Sequence, residues 1–218
     1  MKKLVKGIIE FRQKKLPSYK DTFAKLALGQ KPDALFIGCS DSRVAVNVFA
    51  STDPGDLFVN RNVGNIVPPY RDRDQTQDGV AAVIEFALET LKVKNIIICG
   101  HSECGAMMAL NDGLHKITSR GLQSWLANSE SVLEWLKTKP QFASELPQHN
   151  RLSQLNVLKQ IENLKTYTLV QNLIKAGELK IHGWWFDIAK AEVYSFDDNK
   201  NAFFLIEENE ESRNVLKI

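Results

Sequence analysis

Along the first half of the chain, short apolar runs bounded by Pro, Gly or Asp alternate with longer amphipathic stretches. Asp33-Ala-Leu-Phe-Ile-Gly38, between Pro32 and Gly38, reads as a buried strand, because an unbroken apolar run of that length needs cover on both faces. Residues 56–60, after the turn Asp53-Pro-Gly55, and residues 94–100 (Lys-Asn-Ile-Ile-Ile-Cys-Gly) give two more. Between and around them the 3.6-residue period predicts helices. Two lie over 3–15 and 18–28, separated by Pro17, the second with Tyr19, Phe23, Leu26 and Leu28 on its apolar face. A third, over 79–91, is capped by Asp78 and apolar on nearly every face, hence central; a fourth begins over 105–110. More polar helices follow over 119–137, with Leu122, Trp125, Leu126 and Leu133 in line, and over 151–176, with Leu155, Leu158, Ile161, Leu164 and Val170. Closely spaced late strands over 179–186, 191–196 and 202–206 predict antiparallel pairing. The expected fold class is α/β: a mostly parallel central sheet flanked by helices, with an antiparallel edge.

Length and composition narrow this picture. At 218 residues and 44% apolar content, without a Pro/Gly/Ser-rich linker or an internal repeat, the chain is expected to form a single domain over 1–218. It comprises a helical arm (1–28), an α/β core carrying the chemistry (29–110), a helical region (111–178) and edge strands with a tail (179–218). The acidic patch over 207–211 reads as solvated. With 28 Lys and Arg against 26 Asp and Glu, the net charge of +2 gives no electrostatic reason for a nucleic-acid or membrane-surface partner. The basic N-terminus is interrupted by Glu10, Arg12, Lys14 and Lys15 before an apolar stretch forms, so no secretory signal is read there, and no window is long and apolar enough to span a bilayer. A cytoplasmic or other intracellular location is expected. Three cysteines, an odd and low number, fit a reducing compartment in which thiols serve metal binding or catalysis rather than bridges.

Candidate chemistry lies in Gly38-Cys-Ser-Asp-Ser-Arg43 and Gly100-His-Ser-Glu-Cys-Gly105, each following a predicted buried strand. The carboxyl ends of parallel strands are where open sheets bind ligands. Adjacent strands would bring Cys39 to His101 and Cys104, and two thiolates with one imidazole suit Zn²⁺ while leaving a fourth position for water. Cys99, inside its apolar run, reads as a packing residue, and His115, His149 and His182 as surface or packing histidines. Asp41 can bind the metal or accept from its water, with Arg43 fixing its direction; the plainer reading of Asp-x-Arg is a surface ion pair of little value. A thiol-phosphatase loop would need an arginine six residues after Cys39, where Ala45 stands.

These motifs, with Arg61-Asn-Val-Gly-Asn65 and Val67-Pro-Pro-Tyr70, resemble the β-class carbonic anhydrases over roughly residues 20–195. Residues 161–165 and 179–187 resemble family segments too. The resemblance implies one zinc per chain on Cys39, His101 and Cys104, whose bound water, its pKa lowered to about 7, attacks carbon dioxide to give bicarbonate. It implies an orienting pair Asp41–Arg43, with Asp41 a fourth ligand only in a closed state. Gln30 matches a glutamine that bonds the substrate oxygen, Phe58 and Val63 match apolar pocket residues, and Phe86 stands where many members have tyrosine. The family pocket straddles a dimer interface, so a homodimer is the expected minimum unit, with a tetramer or octamer as the larger forms and the N-terminal helices packed on the partner. A Trp/Arg/Tyr bicarbonate site of one subgroup maps to Phe36, Arg61 and Phe186, so only the arginine is kept. A carbon disulfide or carbonyl sulfide hydrolase on the same scaffold is the alternative activity.

Overall fold

A computed structural model describes residues 1–70 and 79–207. Six strands, β1 (Ala34–Cys39), β2 (Leu57–Asn62), β3 (Asn95–His101), β4 (Lys180–Asp187), β5 (Glu192–Asp197) and β6 (Ala202–Leu205), form one sheet in the order β2-β1-β3-β4-β5-β6. The first four run parallel, and β4, β5 and β6 pair antiparallel, as the late spacing predicts. β1 leads to β2 on one side, and the chain then crosses to β3 on the other. The strand order therefore reverses between β1 and β3, the place where an open parallel sheet leaves a crevice at its carboxyl ends. Cys39 and His101 are the last residues of these two strands.

β1 is buried along its whole length and β3 nearly so, which explains their unbroken apolar sequence. On one face Leu35, Ile37, Ile96 and Ile98 pack with Val80, Ala81 and Ile84 of α4 (Gly79–Glu85), Val157 and Leu164 of α8 (Gln148–Leu164) and Val170 of α9 (Thr168–Lys175). On the other, Ala34, Phe36, Ile97, Cys99 and Phe186 pack with Val46 of α3 (Val46–Phe49). Further along, Cys39, Cys104, Met107 and Leu110 join Leu126, Leu152 and Leu155 beneath α5 (Gly105–Asp112), α6 (Arg120–Leu126) and α7 (Val132–Thr138).

The helices depart from expectation in four places. Pro17 does not interrupt the N-terminal helix: α1 (Lys2–Glu10) continues through a π-helical turn, Phe11–Lys15, into α2 (Leu16–Leu26), where the proline takes the first turn. A proline missing its N–H and pressing on the preceding turn is accommodated where that turn is already widened. The 79–91 helix is not central on every face; Val80, Ala81, Ile84, Ala87 and Leu88 are buried, whereas Phe86, in a terminal π turn, is 44% exposed. Its expected cap Asp78 lies outside the described residues, as does the acidic patch beyond Glu207. The 119–137 helix is split into α6 and α7 by a 3₁₀ turn at Ala127–Ser129. The 151–176 helix starts earlier, at Gln148, and breaks after Leu164, where Tyr167 turns inward, donates to the Pro68 carbonyl at 3.0 Å and packs on Tyr70.

Candidate metal centre

Cys39 Sγ, a His101 ring nitrogen and Cys104 Sγ lie within 4.8 Å of one another, all three residues buried. Parallel pairing sets Gly38 beside Cys99, so the ends of β1 and β3 arrive together, and Cys104 reaches them from the turn that starts α5. His101 Nδ1 lies 2.8 Å from the Ser102 carbonyl oxygen, which makes it the donor and fixes the tautomer. Nε2 is then a lone-pair acceptor, and it is buried without a partner. A buried nitrogen left unmatched costs free energy unless something fills that position. Facing two thiols, the missing partner is a soft or borderline cation, and the donor set fits zinc. Cys39 Sγ accepts the Gly64 N–H at 3.4 Å. Hydrogen bonding from Cys104, against the opposing effect of burial, holds the Cys39 thiol down to about 4, while that same contact and burial push Cys104 up. One thiolate is thus already favoured before any cation arrives.

Asp41 stands beside this cluster, Oδ2 4.0 Å from His101 Nε2. Arg43 donates to it in a fork, Nε to Oδ1 at 2.9 Å and Nη2 to Oδ2 at 2.7 Å, and its backbone N–H reaches Oδ1 at 3.0 Å. That guanidinium holds the Asp41 carboxyl well below the usual carboxylate range. Arg61 straps the same segment, Nε to the Cys39 carbonyl at 3.0 Å and Nη2 to the Asp41 carbonyl at 2.6 Å.

A set of positioning residues is not foreseen from the sequence. One stripe of α8 is polar and buried: Ser153 donates to the His101 carbonyl at 2.7 Å, and Asn156 to the Gly64 carbonyl at 2.9 Å. Gln160 accepts the Val67 N–H at 2.9 Å and Asn163 donates to the Val67 carbonyl at 2.9 Å. The helix thereby grips both the His101 strand end and the loop that carries Gly64. The one signal in the sequence is that amide and hydroxyl residues recur three or four apart at 153, 156, 160 and 163.

Other expected residues are not brought to the cluster. Gln30 is exposed between α2 and β1. Phe58 and Phe86 pack together, ring centroids 5.6 Å apart, but Phe58 pairs with Leu35, four residues before Cys39, about 13 Å away along the strand. Val63 is the exception: it is 42% exposed, its carbonyl accepts Trp125 Nε1 at 2.7 Å, and the next N–H, Gly64, reaches Cys39 Sγ, so it stands beside the cluster. Phe36 and Phe186 are buried with Phe49 against both, Phe186 beside His101 in the β3–β4 register, and Arg61 is committed to backbone carbonyls. Cys99 is fully buried in the same cluster as Phe36 and Phe186, where burial pushes its thiol up. His149 and His182 bond Glu103 and Asn95 respectively, outside the metal cluster.

Comparison with known proteins bears on this arrangement. A family model described as carbonic anhydrase matches residues 34–193. A carbonic anhydrase of Helicobacter pylori strain J99 is 35% identical over 95% of each chain, and one of Synechocystis sp. is 39% identical over 90% of this chain and 71% of its own. The structure of the β-carbonic anhydrase CcaA superposes with a TM-score of 0.87 at 35% identity, covering 96% of this chain and 93% of that one. One of two tetrameric β-carbonic anhydrases from Sordaria macrospora gives 0.77 at 33% identity, covering 88% and 94%.

Proposed function

The chain belongs to the β-carbonic anhydrase family, and from that premise we propose that Cys39 Sγ, His101 Nε2 and Cys104 Sγ hold one zinc ion per chain. Its activity is the reversible hydration of carbon dioxide to bicarbonate and a proton, a lyase reaction. The names its relatives carry do not favour hydrolysis of carbon disulfide or carbonyl sulfide. The observation that carries the metal assignment is the buried, unpartnered His101 Nε2 directed at two thiols. Zinc bound there supplies a Lewis acid able to bring the pKa of water down to about 7.

The chain's own residues do the rest. Gly64 N–H and the Arg61 strap fix Cys39 and the backbone of Asp41. Arg43 keeps Asp41 ionised and turned so that Oδ2 faces the cluster, where it would accept a hydrogen bond from a water activated there and so orient it. Released from Arg43, Asp41, its Oδ2 4.0 Å from His101 Nε2, would be able to join the three residues as a further ligand, a closed state. Val63, next to the Gly64 N–H that meets Cys39 Sγ, lines the substrate pocket from the same chain, and Gln30, Phe58 and Phe86 complete it when a second copy brings them to this chain's cluster, so the active unit is at least a homodimer. The three unpaired cysteines suit the cytoplasm; among the described residues no helix is long and apolar enough to cross a membrane. Stopped-flow carbon dioxide hydration beside a zinc determination on one sample tests the reading. Rapid hydration with one zinc per chain is expected, and a zinc-loaded protein without hydration overturns it.

A further inference from the structure

The Asp41–Arg43 pair is anchored from a third place. The Arg43 side chain is 47% exposed, so packing alone does not order it, and a guanidinium bound only to Asp41 would let the two drift together. Its Nη2, however, donates both to Asp41 Oδ2 at 2.7 Å and to the Glu103 carbonyl at 2.9 Å. That carbonyl faces Arg43 because Glu103 has φ +54°, a left-handed conformation that a residue with a side chain seldom adopts. The conformation is held by Asn150, in the first turn of α8 and 6% exposed: Oδ1 accepts the Glu103 N–H at 2.8 Å, and Nδ2 donates to Glu103 Oε1 at 3.0 Å. His149 Nε2 meets the same Oε1 at 3.0 Å.

We infer that Asn150 is a positioning residue that sets the direction of the Asp41 carboxylate through the backbone of Glu103 and the guanidinium of Arg43. The inference rests on the reading of Asp41 and Arg43 proposed above. Asn150 itself touches neither the metal cluster's donor atoms nor Asp41 by any hydrogen bond described; it acts by keeping one peptide turned. If Glu103 relaxes to negative φ, its carbonyl leaves Arg43, and the fork on Asp41 loses its fixed end.

The test reads Arg43 directly. In ¹⁵N-labelled, zinc-loaded protein, hydrogen exchange of the Arg43 Nε–H is measured by NMR for wild type, Asn150→Ala and the double variant Asn150→Ala/Glu103→Gly. Asn150→Ala should speed that exchange about 10-fold, since one charge-assisted hydrogen bond is lost, with zinc content and thermal midpoint close to wild type. Glycine takes positive φ without a clamp, so the double variant should bring exchange back toward wild type. Unchanged exchange in Asn150→Ala, or no recovery in the double variant, overturns the inference. Should Asn150→Ala not fold, the isosteric Asn150→Asp, which keeps the acceptor for the Glu103 N–H but sets a carboxylate against Glu103 Oε1, should also accelerate exchange, and none overturns the inference equally. Hydration rates on the same samples separate the two readings. A fall of about 10-fold that tracks Arg43 release is expected; release without any fall would leave Asn150's role standing and sink the role given to the Asp41–Arg43 pair.

Discussion

The imidazole of His101 has one nitrogen bound to the Ser102 carbonyl and the other buried without a hydrogen-bond partner, beside two thiols. Removing any of the three donors leaves two, too few to retain a catalytic zinc through purification, so Cys39→Ala, His101→Ala and Cys104→Ala should each lose the metal by elemental analysis. Stoichiometric zinc in Cys104→Ala would refute that ligand. Cys99 makes the contrast: two residues before His101 in β3, it is packed among Phe36, Ile97 and Phe186 with its thiol pushed up by burial, so it stays protonated. Cys99→Ala should keep one zinc and full hydration at a cost of about 1 kcal/mol in denaturant unfolding, the size of a small cavity. Arg43→Ala should keep zinc but lower hydration by about 10²-fold. Freed from Arg43, the Asp41 carboxyl rises from its depressed value toward about 3.9 and is still ionised at neutral pH. Raising the pH from about 7 to about 9 should therefore not restore activity, and a pH-rescued rate would contradict this account. The donor residues are legible in the sequence because glycine-flanked Cys and His at the ends of apolar runs have few other uses. Arg61 as a backbone strap is not, since its partners are carbonyls that no residue type announces.

Among the elements, α8 shows where a hydropathy pattern misleads. Its apolar residues read as the buried face, yet Ser153, Asn156, Gln160 and Asn163 are buried too and hold the loops around the metal cluster. Amides and hydroxyls count as outward in any periodicity argument, although burial is tolerable once each is paired. Strands are more legible: β1 and β3 are covered on both faces, and that alone produces an uninterrupted apolar run. The break at Tyr167 comes from tertiary contacts with Pro68 and Tyr70 and leaves no local mark. Close packing of α8 on β3 has a testable consequence at Gly100, where a Cβ would sit 2.7 Å from Val157 Cγ2 and 3.2 Å from the Ser153 carbonyl oxygen. Gly100→Ala should destabilise the fold by about 1–3 kcal/mol, the cost of overpacking, read from the denaturant midpoint. A neutral result would mean that α8 shifts freely, and the grip of Ser153 on His101 would then be loose as well.

For the whole molecule, exposed apolar side chains concentrate on α1. Leu4, Val5, Ile8 and Ile9 of α1 are each at least half exposed, and Phe86 and Val59 flank the free edge of β2. An apolar helix face of that extent calls for cover. Charge points to the same occupant: residues 1–31 hold nine Lys and Arg against two Asp and Glu, leaving 19 against 24 in the remainder, so the arm of one copy suits the body of another. The pocket proposed above points the same way: Phe58 sits about 13 Å down the strand from Cys39 within one chain, with Phe86 packed on it, so in that reading the two would serve the cluster of a neighbour. Sedimentation should accordingly find a dimer or a multiple of it that persists at nanomolar concentration. Leu4→Glu with Ile8→Glu places two charges in the apolar face of α1, far from Cys39, His101 and Cys104. The pair should shift the protein to monomer by at least about 3 kcal/mol of association free energy, a hundredfold or more in the dissociation constant. Zinc should remain bound, since all three donors belong to one chain, whereas hydration should fall in step with the monomer fraction and recover as protein concentration is raised. A monomer that keeps its zinc and hydrates carbon dioxide at the wild-type rate would show that each chain completes its own pocket, and Gln30, Phe58 and Phe86 would lose the role assigned to them.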